Sequence, residues 1–142
     1  MQCDSPPTSD DRTWAIAAHA TGLLLFTNFP FANVLGALIV YLKVKGDAEK
    51  PFARDSAAAA LNFQITWTIV FFAYLVAAVW FWYYENTEPL RQIAFSMGPG
   101  LIILGGITIA LLSVNIVLTI TGCVRASNAQ AMKYPLAWRI VR

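Results

Sequence analysis

Three long stretches of this chain carry no Asp, Glu, Lys or Arg. They span 30 residues between Arg12 and Lys43, 29 between Asp55 and Glu85, and 33 between Arg91 and Arg125. A hydrocarbon core about 30 Å thick takes roughly 20 apolar residues of helix. The second and third stretches are therefore each expected to hold one span, at 57–82 and 101–124. The Gly98-Pro99-Gly100 break before the latter is expected to end a short interfacial turn over 93–97. Composition agrees, with 58% hydrophobic and 13% charged residues among 142; soluble domains run near 45–50% and about 25%. This composition argues against a water-soluble domain and against a disordered tail. Cys3 and Cys123 lie too far apart in sequence for a disulfide framework or metal-ligand spacing, and a net charge of +2 is too weak to point to nucleic acid.

The first uncharged stretch is split by Asn28-Phe29-Pro30-Phe31, where proline removes a backbone donor and restricts the residue before it. The two remaining pieces, 14–27 and 31–42, reach only about 18–21 Å as helices at about 1.5 Å per residue. Two thin or oblique spans, a re-entrant hairpin and one long kinked span all fit. If this stretch returns the chain to its starting side, nine of the ten basic residues share one face. The positive-inside rule then puts Lys43, Lys45, Lys50, Arg54 and the basic C-terminus in the cytoplasm. The expected fold is an all-α polytopic membrane protein: a four-helix bundle, N-in/C-in, with a short first pair, either spanning or re-entrant. Its helices are expected at about 14–28, 31–44, 56–84 and 100–125. A flexible cytoplasmic lead over 1–12 precedes a single transmembrane domain, 13–142, which closes on an interfacial basic tail, 128–142. Thr13 is expected to cap the first helix, no cleavable signal is expected, and the location is the bacterial inner membrane.

Trp and Tyr concentrate at the two membrane interfaces. Trp80, Trp82, Tyr83 and Tyr84 cluster before the outer connector, 85–91; Trp14 and Tyr41 flank the first pair; Tyr134, Trp138 and Arg139 belong to the tail. Trp80, Trp82, Tyr134, Trp138 and Arg139 are the candidate interfacial anchors. The tail suits a segment lying on the cytoplasmic leaflet, either binding anionic lipid, docking a partner or simply anchored.

Ionisable groups inside spans usually mark function. Here His19 is the only one, either packed neutral against helix backbone or Asn28, or contacting a proton or ligand. Other polar groups follow helical spacing: Gly105, Thr108, Leu112, Asn115, Thr119 and Gly122 in the last span, and Asn62, Thr66, Val70, Ala73 and Ala77 in the third. Such small or weakly polar stripes let helices approach closely. No phosphate loop, HExxH, CxxC or Ser/His/Asp set is present, so the chain is read as no enzyme, with no catalytic residue, metal site or cofactor.

The run Trp14-Ala15-Ile16-Ala17-Ala18-His19-Ala20-Thr21-Gly22-Leu23-Leu24, the short second helix ending in Lys, Pro51-Phe52, Ala60-Leu61-Asn62-Phe63-Gln64-Ile65 and Tyr134-Pro135-Leu136 together resemble the bacterial Tic-twenty-like small membrane proteins. These are distantly similar to a chloroplast inner-envelope import component. The resemblance implies a four-helix membrane domain with both ends on the cytoplasmic side. It carries over His19, Asn62 and Gln64 as structural or pore-facing positions; Thr66, Asn115 and Thr119, taken from the polar stripes, complete the candidate helix-packing or pore-facing polar residues. Ser56, Ala58 and Ala59 depart from the His and Lys-Glu pair common in that family.

The expected role is a non-enzymatic membrane subunit that binds other membrane proteins, with the lipid bilayer and a membrane-protein partner or a second copy as its contacts and no nucleic acid. A translocation or assembly accessory is the form the resemblance suggests. The alternative is an oligomeric channel or small-solute carrier with a polar path near His19, Asn62 and Asn115.

Overall fold

A computed structural model describes residues 6–27, 31–87, 98–135 and 137–141. The described chain is all-α. The described helices are α1 (Ser9–Ala20), α2 (Ala32–Val44), α3 (Pro51–Thr87) and α4 (Gly98–Ser127), with a 3-10 segment, Thr21–Phe26, following α1. The expected turn at Asn28-Phe29-Pro30, the 93–97 turn and most of the outer connector lie outside the described residues. Two described helices are long and apolar enough to cross a membrane: α3 over Pro51–Tyr84, with mean hydropathy 1.9 in its most apolar 18 residues, and α4 over Gly100–Ser127, with 2.5 in its own such window. With 12 residues in α1 and 13 in α2, each of these reaches only about 18–20 Å at about 1.5 Å per residue.

Helix starts differ from the sequence expectation for identifiable reasons. α1 begins at Ser9 rather than 14, because Thr8, not Thr13, is its cap: the Asp11 amide donates to Thr8 Oγ1 at 3.1 Å. That register puts Asp10 and Asp11 in the first turn, where a negative charge meets the helix dipole favourably. The Thr13 hydroxyl instead donates to the Ser9 carbonyl. The expected flexible lead thus already contains helix from Ser9. α3 begins at Pro51 rather than 56, since proline is favoured at a first helical position whose amide has no partner. One of its first-turn amides is met from outside. Asp11 Oδ1 accepts from the Ala53 amide, and Lys50 bridges Asp10 at 3.0 Å and Asp47 at 2.9 Å. Hydrogen bonding to these carboxylates raises the Lys50 pKa, and the Lys50 bond lowers that of Asp47. The tie to Asp47 therefore holds above the ordinary carboxylate range and is lost as pH falls through the lowered value.

By contact the chain forms two compact units, one of residues 1–68 and 115–142, the other of 69–114. In the first, α1, α2 and the start of α3 pack through small residues. Ala18, Val40, Val44, Ala53, Ala57 and Ala60 form a buried cluster covered by Trp14 and Tyr41. Alanine here lets backbones approach closely, the packing that replaces hydrophobic drive between helices in lipid. Lys43 lies over the Trp14 ring, 4.5 Å from its centroid.

In the second unit the Tyr74 hydroxyl donates to the Leu104 carbonyl at 2.7 Å and lies 2.8 Å from Thr108 Oγ1. The polar stripe expected along α3 ends early. Asn62 and Thr66 are buried, but Val70, Ala73 and Ala77 are exposed. Phe71, Tyr74 and Ala78 are the less exposed positions, a face that Tyr74 fixes by its bonds to Leu104 and Thr108.

α4 stops without a glycine. Ala129 takes the left-handed conformation at φ 56°, the Gln130 amide donates to the Arg125 carbonyl at 2.8 Å, and the Ala129 amide to Ala126 at 3.1 Å. These are the two bonds of a Schellman cap, whose left-handed residue is usually glycine. Ala129→Gly is expected to raise stability by about 1 kcal/mol, read as a higher thermal midpoint in detergent.

Candidate functional site

The first unit holds an unusual amount of buried polarity. His19, Asn33, Asn62, Gln64, Thr66, Asn115 and Thr119 are all buried. They fall into two groups, distinguished by what satisfies them.

One group binds the C-terminal segment. After Ser127 the chain is non-helical and runs back along α3 as a strap. Asn62 Nδ2 donates to the Val141 carbonyl at 2.9 Å, while Asn62 Oδ1 accepts from the amides of Ile140 at 3.0 Å and Val141 at 2.8 Å. One turn on, Thr66 Oγ1 accepts from the Trp138 amide at 3.1 Å and donates to the Asn62 carbonyl. Tyr134 closes the other end of the strap. Its ring stacks on Phe63, with centroids 4.2 Å apart, and its hydroxyl lies 2.9 Å from His19 Nδ1. Gly122 makes this closure possible, because a Cβ there would stand 2.6 Å from the Tyr134 hydroxyl oxygen and 2.9 Å from His19 Cγ.

The second group lies among α2, α3 and α4. Asn33 Nδ2 donates to Gln64 Oε1 at 2.9 Å and to Thr68 Oγ1 at 3.1 Å. Gly22 is the close approach here: a Cβ on it would lie 2.5 Å from both Gln64 Nε2 and Thr119 Oγ1. Both polar atoms of the Asn115 amide, Thr119 Oγ1 and His19 Nε2 are buried without a protein partner. An unpaired buried amide costs its full desolvation penalty, about 1–3 kcal/mol. Asn115→Leu, close in volume, is accordingly expected to leave stability unchanged or raise it by about 1–2 kcal/mol. A lowered thermal midpoint would show that Asn115 has a partner in the folded protein.

The sequence-derived candidates thus part company. His19, Asn62, Gln64 and Thr66 are buried and hydrogen-bonded, Asn115 and Thr119 buried and unpaired. Two of the three side chains expected to line a polar path, His19 and Asn62, are engaged in internal bonds. His19 Nδ1 pairs with the Tyr134 hydroxyl; the expected alternative partner Asn28 lies outside the described residues. Tyr134, expected at the membrane interface, is buried at 8% exposure, because its ring fills the space between Phe63 and Gly122. Trp80, Trp82, Trp138 and Arg139 are exposed. Asn33 escaped the sequence reading; its position at the start of α2, one residue after the first helical one, was the available signal. Cys123 Sγ lies 3.8 Å from the Ile16 carbonyl. Among the described residues no group of three or more His, Cys, Asp or Glu side chains converges.

In the second unit, Phe72, Leu75, Val76, Val79, Trp80 and Tyr83 line an apolar groove of about 500 Å³ on α3. Phe72, Val76, Val79 and Tyr83 recur at steps of four, three and four, the spacing of a helix-packing seam.

A family model for magnetosome magnetite crystal formation proteins, MamF/MmsF, matches residues 10–141. That match overturns the resemblance to the Tic-twenty-like family, and with it the protein-transport role the resemblance implied. Of the motif residues that suggested it, Asn62 bonds the strap backbone and Phe63 stacks on Tyr134, while Gln64 bonds Asn33. No curated protein and no solved structure matches the chain.

Proposed function

The chain belongs to the magnetosome magnetite crystal formation family, MamF/MmsF, and from that premise we propose that it is a non-enzymatic, multi-pass subunit of the magnetosome membrane. In this reading α3 and α4 are the crossing helices, both termini are cytoplasmic, and the membrane derives from the bacterial inner membrane. The protein acts by binding a second membrane protein or another copy of itself, with no cofactor and no chemistry of its own.

The observation that carries this reading is the α3 groove. Phe72, Val76, Val79 and Tyr83 present a seam of helix-packing spacing built from aliphatic and aromatic side chains. Helix association in lipid depends on such shape complementarity, because apolar side chains gain little by leaving acyl chains. The buried polar groups of the first unit support a structural role, since most hold the strap or one another.

Purification in a mild detergent tests the proposal. A stable homo-oligomer or a stoichiometric membrane-protein companion is expected, and Val76→Arg on the seam should dissociate it without lowering the yield of folded protein. A monomer without a companion, or a complex indifferent to Val76→Arg, contradicts it.

A further inference from the structure

Part of the backbone of the C-terminal strap is bonded to side chains of α3. The amides of Trp138, Ile140 and Val141 and the carbonyl of Val141 are bonded to Asn62 and Thr66 side chains. The Ala137 amide also donates within the strap, to the Tyr134 carbonyl. Non-helical backbone is tolerated at membrane depth only where its polar groups are met by protein. Asn62 and Thr66 lie on the uncharged part of α3 that follows Asp55.

With its backbone pinned inward, the strap turns apolar side chains outward. Trp138 is 63% exposed and Ile140, two residues on, 54%. Arg139 between them and Lys133 before them are also exposed. An outward Trp and Ile flanked by long cationic side chains match the acyl–headgroup boundary, where Trp prefers to sit and Arg and Lys extend toward phosphate. Lysine and arginine near the surface each add about 1 kcal/mol of attraction to an anionic leaflet.

We propose that the strap is a lipid-binding element: Trp138 and Ile140 contact acyl chains of one leaflet while Arg139 and Lys133 hold the headgroup of an anionic phospholipid. The partner is a lipid surface, distinct from the protein partner assigned to the α3 seam, and the strap therefore does not depend on that assignment.

The test uses the full chain in nanodiscs of phosphatidylcholine with or without phosphatidylglycerol, with a benzophenone amino acid in place of Trp138. Lipid adducts are expected at position 138, and native mass spectrometry should show phosphatidylglycerol retained over phosphatidylcholine. Arg139→Gln with Lys133→Gln should lower that retention several-fold while leaving the thermal midpoint unchanged. Protein adducts alone, or no adducts with position 138 open to a water-soluble quencher, overturn the lipid contact. Equal retention of both lipids, or retention untouched by the double variant, overturns the headgroup assignment.

Discussion

Asn62→Ala is expected to release the C-terminal strap and to cost about 2–4 kcal/mol of stability. Three hydrogen bonds between one amide and the strap backbone are lost together, at a net value of about 0.5–1.5 kcal/mol each. The buried Thr66 and Tyr134 contacts loosen with them. Limited trypsin digestion in detergent reads the release directly, because Lys133 and Arg139 lie in the strap. The parent protein should resist cleavage there, and the variant should be cut well below its thermal midpoint. Asn62→Asp keeps the acceptor for the Ile140 and Val141 amides but loses the donor to the Val141 carbonyl, so it should fall between the two. An alanine variant as resistant and as stable as the parent would show that the strap is held elsewhere.

The second large effect is expected at Gly122. A Cβ there meets the Tyr134 hydroxyl and the His19 ring at 2.6–3.0 Å. His19 cannot retreat easily, being a rigid ring almost wholly buried. Gly122→Ala should therefore cost about 1–3 kcal/mol through overpacking. Gly106, on the same helix, has nothing within 4 Å of its ideal Cβ. Gly106→Ala should stabilise by up to about 1 kcal/mol through helix propensity alone. Thermal midpoints moving in opposite directions for the same chemical change separate packing at Gly122 from a general effect on α4. Equal shifts would contradict the close approach of strap, α1 and α4. Adding Tyr134→Phe to Gly122→Ala should recover only part of the loss, since the His19 contacts near 3 Å remain.

Much of the architecture was legible in where the charges are missing. The uncharged stretches at 56–84 and 92–124 correspond to the two long apolar helices, because neither offers a charged side chain that would oppose burial in lipid. The start of α2 was legible too, from the proline-containing insertion before it, whereas α1 ends at Ala20, where the chain tightens into a 3-10 segment ahead of that insertion. Helix starts were harder to read, since Thr8 and Thr13 are both acceptable caps. The choice depends on which register lets Asp11 reach the Ala53 amide, a contact across 42 residues. The functional reading of the polar residues was the least legible part. Asn62, Thr66 and His19 stood out by type and spacing, yet their partners are Val141, Trp138 and Tyr134, from 72 to 115 residues away. Helical periodicity says which face a residue occupies, not that a non-helical tail will return to cover it. Tyr134 shows the consequence: beside Lys133 and Pro135 it reads as an interfacial anchor, whereas its ring is a buried wedge.

Family membership shifts the biological setting from import to magnetosome formation while leaving the physical reading of a membrane subunit in place. The proposed partner contact makes the α3 seam the decisive surface. The most direct test places a photo-reactive residue at Val76 in the membranes of the mineral-forming cell and identifies the adducts. Our account expects a specific membrane-protein adduct, or a self-adduct, that disappears when Val79→Arg is added on the same face. Lipid adducts alone would contradict it.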